Sequence, residues 1–260
     1  MFISQLKSRL GIEFINQISV LITLPIIANN LGLNSFAYIS QGLILMNIIL
    51  LISSWGIDAS NIEILNKKIQ KKENEIYLSS VFIIRFSLSF LCFIFLYLII
   101  FLDIYKFDLT LLLYIFIPII FTNLIPLWYF QAIGKSEKLL IPTILGRVLF
   151  VFIIIYFVKN QENIIWVFIS HGISSIVVSV CGLYIIFNKY KFVIPSFEKI
   201  FTYFKSSSSH FLLILMNNHF SSLWSFIILI YGSSTGIAYY NLANYFLKAG
   251  MGISEMISRI

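Results

Sequence analysis

Long uninterrupted apolar runs are the feature of this sequence that most restricts its fold. Eight runs approach the ~20 residues that an α-helix needs to cross the hydrocarbon core of a bilayer. They cover residues 12–31, 36–61, 78–102, 110–133, 142–158, 164–187, 211–231 and 237–257. A membrane β-barrel would instead alternate in segments of ~10 residues. We therefore predict an all-α polytopic membrane protein, a bundle of about eight transmembrane helices.

The composition favours the same class. Hydrophobic residues make up 59% of the chain and the mean hydropathy is +0.94, whereas soluble domains contain ~45–50% apolar residues. Charged residues make up only 11%, and most of them stand between the apolar runs. The net charge of +7 therefore belongs to loops and not to one basic face. We expect membrane lipid around this chain and no nucleic acid as a partner.

The distribution of Lys and Arg between loops predicts the orientation. Successive spans place loops on alternate sides of the membrane, and cytoplasmic loops are enriched in these residues. The N-terminus and the loops after spans two, four and six contain twelve of them. The loops after the odd-numbered spans contain two, Lys106 and Lys159. This ratio predicts a cytoplasmic N-terminus and supports an even number of spans.

The loops differ in length as well as in charge. Those on the Lys-poor side contain at most seven residues each, too few to form a domain. On the Lys-rich side, residues 191–210 include Pro195 and four serines at 206–209, a composition typical of a linker. We therefore divide the chain into an N-terminal six-helix lobe (1–190), a cytoplasmic linker (191–210) and two further helices (211–260).

Two predicted junctions between helices share a sequence pattern. Residues 31–40 (LGLNSFAYIS) and 231–241 (YGSSTGIAYYN) each pair a turn glycine, Gly32 or Gly232, with an apolar-Ala-Tyr entry into the next helix. Six helices separate the copies, which fits a parallel repeat about an axis along the membrane normal. Chance similarity in a chain rich in Phe, Ile and Asn is the alternative. A real repeat implies about twelve spans, with residues 211–260 as the first two helices of an incomplete C-terminal lobe.

Four segments carry a family resemblance. They are LPIIANNLGLNSFAYIS (24–40), SWGIDASNIEI (54–64), LWYFQAIGKSEKLLIPTILGR (127–147) and GIAYYNLANYFLKA (236–249). With these segments the chain resembles the Wzx-type oligosaccharide flippases of the polysaccharide biosynthesis family, within the multidrug/oligosaccharidyl-lipid/polysaccharide exporter superfamily. The third segment is the most specific: an aromatic-Gln helix end, a short basic loop, and a fifth helix that opens with proline and contains Arg147. Ala132 stands where glycine is frequent in the family.

The resemblance implies a fold and a function. The fold is that of the MATE-like exporters, in which six-helix lobes rock about a central cavity. The function is the translocation of undecaprenyl-diphosphate-linked oligosaccharide repeat units across the bacterial plasma (inner) membrane, for O-antigen or capsular polysaccharide synthesis. Its partners would be that lipid-linked substrate and other polysaccharide assembly proteins. Family members usually have twelve or more spans, so the resemblance implies that this chain is truncated.

Ionisable residues within the apolar runs are candidates for the transport site, because each is costly in hydrocarbon. Lys248 lies 12 residues after Gly236, about 18 Å along its helix. Arg147 and Arg85 lie roughly 10 Å inside the cytoplasmic boundary by the same helical rise. Cations at these positions suit a diphosphate headgroup. The alternative for Lys248 is a pair with a carboxylate or a backbone carbonyl in the bundle. For the two arginines it is a side chain that reaches the interface.

Two carboxylates and four uncharged polar residues complete the set of candidates. Asp58 and Glu13 stand at the cytoplasmic ends of spans two and one, where an interfacial position competes with a role in ion coupling. The uncharged candidates for lining the cavity lie in spans one and seven, the equivalent helices of the proposed repeat. They are Asn16, Thr23, Asn217 and Ser221. Ordinary hydrogen bonding between helices is the alternative for all four.

Three other functions compete with the flippase. One is a polysaccharide polymerase or membrane transferase of the same pathway, which the short outer loops disfavour. Another is a small-molecule exporter of the MATE type, which would tend to use buried carboxylates where this chain has deep cations. The third is a non-functional truncated remnant. The sequence has no metal-ligand spacing, nucleophile elbow, P-loop or dinucleotide glycine pattern, so we expect no catalysis and no cofactor.

The predicted orientation can be tested by cysteine labelling. In a chain whose Cys92 and Cys181 are replaced by serine, Gln161→Cys should react with a membrane-impermeant maleimide in intact bacterial cells, because its loop is predicted to lie outside. Glu137→Cys should react only after the membrane is permeabilised. The opposite labelling pattern would place the N-terminus outside the cytoplasm.

Overall fold

The computed structural model describes most of the chain. Its backbone is described at residues 2–58, 60, 71–102, 108–217 and 220–258, and the side chains in these ranges are described except at 2–7, 9, 216, 217, 220–223, 226, 234 and 248–258. Within these ranges every regular element is a helix. The α-helices are α1 (Phe2–Ser54), α2 (Lys71–Phe101), α3 (Leu109–Leu124), α4 (Leu127–Ala132), α5 (Leu140–Phe157), α6 (Ile165–Phe187), α7 (Phe197–Asn217), α8 (Phe220–Tyr231) and α9 (Ser234–Ser258), with 3₁₀ turns at Ser136–Leu139 and Gln161–Asn163. The predicted all-α class is confirmed.

A sharp reversal divides α1 into two arms, 2–31 and 33–54. Gly32 has φ 73° and ψ 171°, a conformation that is essentially restricted to glycine. The turn is held against the neighbouring helices, since the Asn30 side-chain amide donates to the Val158 carbonyl at 2.7 Å. The sequence pattern correctly places a turn at this glycine. We refer to this side of the bundle as the Gly32 end, and to the opposite side as the Gly134 end.

Five helical segments in the described residues are long and apolar enough to cross a membrane. They are Leu10–Ser54, Lys71–Phe101, Leu109–Ala132, Ser136–Phe157 and Gln161–Phe187. Because the first one folds back at Gly32, the five account for six crossings, and these match the six spans predicted in residues 1–190. The seventh and eighth predicted spans correspond to α7 with α8 and to α9. These two spans stay predictions.

Proline interrupts the fourth predicted span, which was expected to be one helix. Pro126 lacks a backbone N–H, and the residue before a proline is biased toward extended backbone. Ile125 accordingly has φ −66° and ψ 114°, and α3 ends at Leu124. Gly182 of α6 lies against this break, where a Cβ would come within 2.6 Å of the Pro126 ring. The break is therefore part of the helix packing.

The apolar interior consists of two clusters. One lies between α1, α3, α5 and α6 and includes Phe150 and Phe168, each at most 1% exposed. The other lies toward the Gly134 end around Trp128 and Phe130 of α4. Other large apolar side chains point outward from the same helices, as expected where lipid replaces water as the solvent. Examples are Phe95, Phe101, Leu113 and Ile141, all more than 60% exposed.

The predicted linker is largely a docked helix. Residues 191–196 are non-helical, and α7 begins at Phe197, within the segment predicted to be a linker. The indole of Trp55 stacks between Phe204 and Phe211, with ring centroids 4.6 and 4.3 Å away. This stacking fastens α7 to the end of the second arm of α1. The prediction of a linker rested on the serine composition, and composition contains no information about aromatic contacts with distant residues.

The serines at 206–209 allow α7 to approach residues 55–60, the segment that follows α1. The hydroxyls of Ser60 and Ser207 lie 2.8 Å apart, and the Trp55 indole N–H donates to the Ser208 hydroxyl at 3.1 Å. Gly56 has φ +69°, and a Cβ there would come within 2.4 Å of the Phe211 backbone nitrogen. Small residues on α7 and in the segment after α1 therefore produce this contact, as small residues do at helix interfaces in membranes.

Replacing Gly56 should loosen α7. Gly56→Ala places a side chain in the left-handed region, at a cost of about 1–2 kcal/mol, and adds a clash with the α7 backbone. We expect a lower Tm in detergent and faster tryptic cleavage at Lys205. Gly11→Ala is the matched control in α1, because its Cβ would meet only the Leu140 side-chain end at 3.3 Å. Equal Tm values for both variants would contradict the docking contact.

Candidate functional site

Helix α5 places a guanidinium deep in the bundle. Arg147 lies 11 residues before Val158, about 16 Å from the Gly32 end at the helical rise. Its Nε donates to the Asn16 side-chain oxygen at 2.6 Å, and its guanidinium carbon lies 5.6 Å from the Phe150 ring centroid. The structure thus brings together two predicted site residues, one from α5 and one from the first arm of α1.

Helix α9 completes this region from the other side. Tyr245 is close enough to Arg147 to interact with it electrostatically. It lies 11 residues after Ser234, the first residue of α9, which gives about the same depth from the Gly32 end. His171 of α6 also interacts electrostatically with Arg147. Arg147 of α5 therefore lies near residues of α1, α6 and α9.

A small polar cavity adjoins Tyr245. We call it the asparagine cavity, since three of its seven lining residues are asparagines: they are Ile44, Asn47, Ile48, Ser225, Asn241, Asn244 and Tyr245. Its volume is about 20 Å³, enough for a group the size of one water molecule. The second arm of α1 forms one wall, and α8 and α9 form the other. Three further cavities found in the described residues have mainly apolar walls.

Asn241 is the most unusual residue of the cavity. Its side chain is 4% exposed, and its amide nitrogen has no hydrogen-bond partner among the described residues. An unsatisfied buried donor costs about 1–3 kcal/mol. Such a group in a polar cavity has the character of a binding position, because a ligand or water acceptor would remove the cost.

A second polar set lies toward the Gly134 end. Arg85 of α2 is 6% exposed, forms an ion pair with Asp58, and has its guanidinium carbon 5.7 Å from the Trp128 ring centroid. Asp58 is half exposed, so the pair connects the interior with the surface. Both residues were predicted as separate site candidates. The sequence did not predict that they would pair with each other.

Hydrogen bonds continue from Arg85 into the bundle. The Ser89 hydroxyl donates to the Arg85 carbonyl at 2.9 Å, and the Asn123 amide donates to Ser89 at 2.7 Å. The Ser53 hydroxyl donates to the Asn123 side-chain oxygen at 2.9 Å. The side chains of these three linking residues are at most 3% exposed. This chain connects α1, α2 and α3. The Arg85 Nε is also buried but has no hydrogen-bond partner among the described residues.

Asp108 forms a third polar contact at the Gly32 end. It caps α3 by accepting the Thr110 backbone N–H at 2.9 Å, and it accepts the Tyr38 hydroxyl at 2.7 Å. Hydrogen bonding to Thr110, and secondarily to Tyr38, holds the pKa of the Asp108 carboxyl below its usual value. The cap thus joins the start of α3 to the second arm of α1.

The other predicted site residues lie elsewhere or outside the description. Thr23 is 1% exposed, and its hydroxyl donates to backbone carbonyls of its own helix. Glu13 is half-buried on the first arm of α1. The side chains of the remaining three candidates lie outside the described residues, so their roles stay predictions. They are Lys248, Asn217 and Ser221.

The asparagine cavity was missed by the sequence reasoning. Asn241, Asn244 and Tyr245 are spaced i, i+3 and i+4 on α9, which places them on one helix face. Asn47 stands alone within an apolar run of the second arm. These asparagines carried a signal, since each is a polar residue within a predicted span. That signal is weaker than the signal from a charged residue, because an uncharged side chain is less costly in hydrocarbon.

Comparison with known families identifies a match along nearly the whole chain. Residues 8–259 match the family described as polysaccharide biosynthesis protein. Comparisons with curated proteins and with solved structures give no match. Within the described residues, no group of three or more His, Cys, Asp and Glu side chains is arranged to hold a metal ion.

The ion pair of α2 should respond asymmetrically to mutation. Asp58→Asn leaves the buried Arg85 charge without its partner, and we expect a loss of about 1–3 kcal/mol after allowance for the exposure of Asp58. Arg85→Met leaves only a half-exposed carboxylate and should cost less. The double variant should regain part of the loss. Thermal unfolding in detergent tests the order, and a larger loss for Arg85→Met would contradict it.

Proposed function

The chain belongs to the polysaccharide biosynthesis protein family, and from this premise we propose that it is a flippase for lipid-linked oligosaccharides. Its substrate would be an undecaprenyl-diphosphate-linked repeat unit of O-antigen or capsular polysaccharide. The membrane would be the bacterial inner membrane, with the N-terminus in the cytoplasm. The observation that carries the proposal is Arg147, deep in the bundle at the boundary between the six-helix lobe and α9.

The chemistry of Arg147 fits the anionic part of such a substrate. A guanidinium binds phosphate oxygens in bidentate geometry and keeps its charge in a low-dielectric site. The bond from Nε to Asn16 fixes the plane of the group, and the terminal nitrogens carry the remaining donors. A deep cation at this boundary lowers the cost of moving a diphosphate through hydrocarbon.

The position of the residue fits transport by alternating access. Transporters commonly bind substrate near the bilayer midplane, between helix groups that rock against each other. Arg147 belongs to the first group and Tyr245 to the helices that follow. A rearrangement between these groups would open the site to either leaflet in turn. The deep described cation also favours an anionic substrate over the small cations that a drug exporter would carry.

Deletion of the gene in its native bacterium tests the proposal. We expect loss of surface polysaccharide and accumulation of the lipid-linked intermediate in the inner leaflet. The wild-type gene should restore both. Arg147→Ala should lower restoration about tenfold or more, since hydrogen bonds to charged groups contribute about 1.5–3 kcal/mol. Arg147→Lys, which keeps the charge but loses the bidentate geometry, should be intermediate.

The matched control is Lys159→Ala, which removes an exposed cation from the loop near the Gly32 end. This variant should restore surface polysaccharide as the wild type does. Unchanged surface polysaccharide in the deletion strain, with no accumulated intermediate, would contradict the flippase. Full restoration by Arg147→Ala would contradict the assigned role of the guanidinium.

A further inference from the structure

The asparagine cavity differs chemically from the guanidinium beside it. None of its described lining side chains carries a formal charge at neutral pH, and its polar groups are amides and hydroxyls. Such groups recognise neutral polar ligands by hydrogen bonding. A metal cation is disfavoured there because Tyr245, on the cavity wall, also interacts with the Arg147 charge. The cavity is therefore suited to an uncharged hydrogen-bonding group.

The size of the cavity limits what can enter it. A volume of about 20 Å³ accepts one water molecule or one hydroxyl group. A whole sugar ring is too large. A ligand would therefore place a single substituent in the cavity, while its remaining part lies outside.

The buried donor indicates which atom the substituent must offer. The Asn241 amide nitrogen has no partner among the described residues, and the side chain is almost fully buried. It needs a hydrogen-bond acceptor. A hydroxyl oxygen accepts from this group and donates through its own hydrogen, for example to an amide oxygen on the opposite wall. A water molecule would have the same capacity, and a ligand hydroxyl would displace it without loss of hydrogen bonds.

Tyr245 links this cavity to the cation. It lines the cavity and interacts electrostatically with Arg147, so the cavity and the cation share Tyr245 as a neighbour. In a lipid-linked oligosaccharide the first sugar is bonded directly to the diphosphate. A ligand whose diphosphate contacts Arg147 would thus carry its first sugar within reach of the cavity.

We propose that the asparagine cavity is a sugar-specificity site, in which Asn241 binds one hydroxyl of the sugar attached to the diphosphate. This inference rests on the proposed function and assigns separate roles to Arg147 and Asn241 in binding the ligand. Arg147 binds the anionic group that all such lipids share. Asn241 and its neighbours Asn47 and Asn244 recognise the neutral sugar and distinguish one lipid-linked sugar from another.

Binding of two lipids to the purified full chain in nanodiscs tests these separate roles of Arg147 and Asn241. The probes are undecaprenyl diphosphate and undecaprenyl diphosphate bearing one glucose. We expect the wild type to bind the glucosylated lipid about tenfold more tightly, the effect of one well-placed hydrogen bond to a buried group. Asn241→Leu should bind both probes with the affinity of the wild type for the bare diphosphate. Arg147→Ala should weaken binding of both.

Controls separate the site from general damage. Asn29→Leu replaces an exposed asparagine of α1 and should keep the tenfold preference. If Asn241→Leu cannot be purified, Asn47→Leu changes the opposite wall and should remove the preference in the same way. Among mono-deoxy analogues of the bound glucose, one should lose the advantage and the others should keep it.

The outcomes distinguish this inference from the function on which it rests. Wild-type chain that binds neither lipid would overturn the flippase proposal. Wild-type chain that binds both lipids equally would overturn only the sugar site. Persistence of the preference in Asn241→Leu, or in every mono-deoxy analogue, would also overturn it and would leave the cavity as the place of a structural water.

Discussion

Every polar group that this chain places in hydrocarbon must find its partner within the protein, because no water competes for it there. This requirement explains why the regular elements of the described residues are helices, whose backbone groups bond internally. It also explains the places where the helices stop. The chain reverses at Gly32, where the neighbouring Asn30 amide closes onto the Val158 carbonyl, and the break before Pro126 is packed against Gly182 of α6.

The same requirement separates two kinds of polar interior. Toward the Gly134 end, Arg85 pairs with Asp58, and the hydrogen bonds run on to Ser89, Asn123 and Ser53. This chain of contacts ties three helices together, and a buried network whose members pair mainly with one another rigidifies a bundle. Each set contains one buried donor without a partner among the described residues, the Arg85 Nε in the first and the Asn241 amide near Arg147. The difference is that Asn241 lines the asparagine cavity. The first set therefore ties α1, α2 and α3 together, whereas Asn241 has space beside its amide for a ligand.

The sequence predicted the helices better than their contacts. Apolar run length and the Gly32 turn follow from local chemistry, so the first six spans were predictable. Counting along the helix placed Arg147 roughly 10 Å inside the cytoplasmic boundary, but it did not predict that Asn16 and Tyr245 would lie beside it. The docking of α7 was not predictable from the sequence. It depends on the stacking of Trp55 on Phe204 and Phe211, which lie about 150 positions later in the chain. A run of serines looks like a linker whether or not an aromatic residue elsewhere binds it. Whether this segment is a linker or a docked helix therefore depends on tertiary contacts that composition does not reveal.

The asparagine cavity was unpredictable for a related reason. A charged residue in an apolar run is a strong indication of function, because its desolvation cost is large. A single asparagine is a weaker indication, because it is tolerated when it forms a hydrogen bond with another helix. Asn47 and Asn241 can be recognised as parts of one cavity only in the folded structure, where the second arm of α1 packs against α9. Their meeting place lies between the first and the last helix that the structure describes. A ligand held there would contact both groups of helices, so its binding energy could favour one arrangement of the two groups over another, which is the property that transport by alternating access requires.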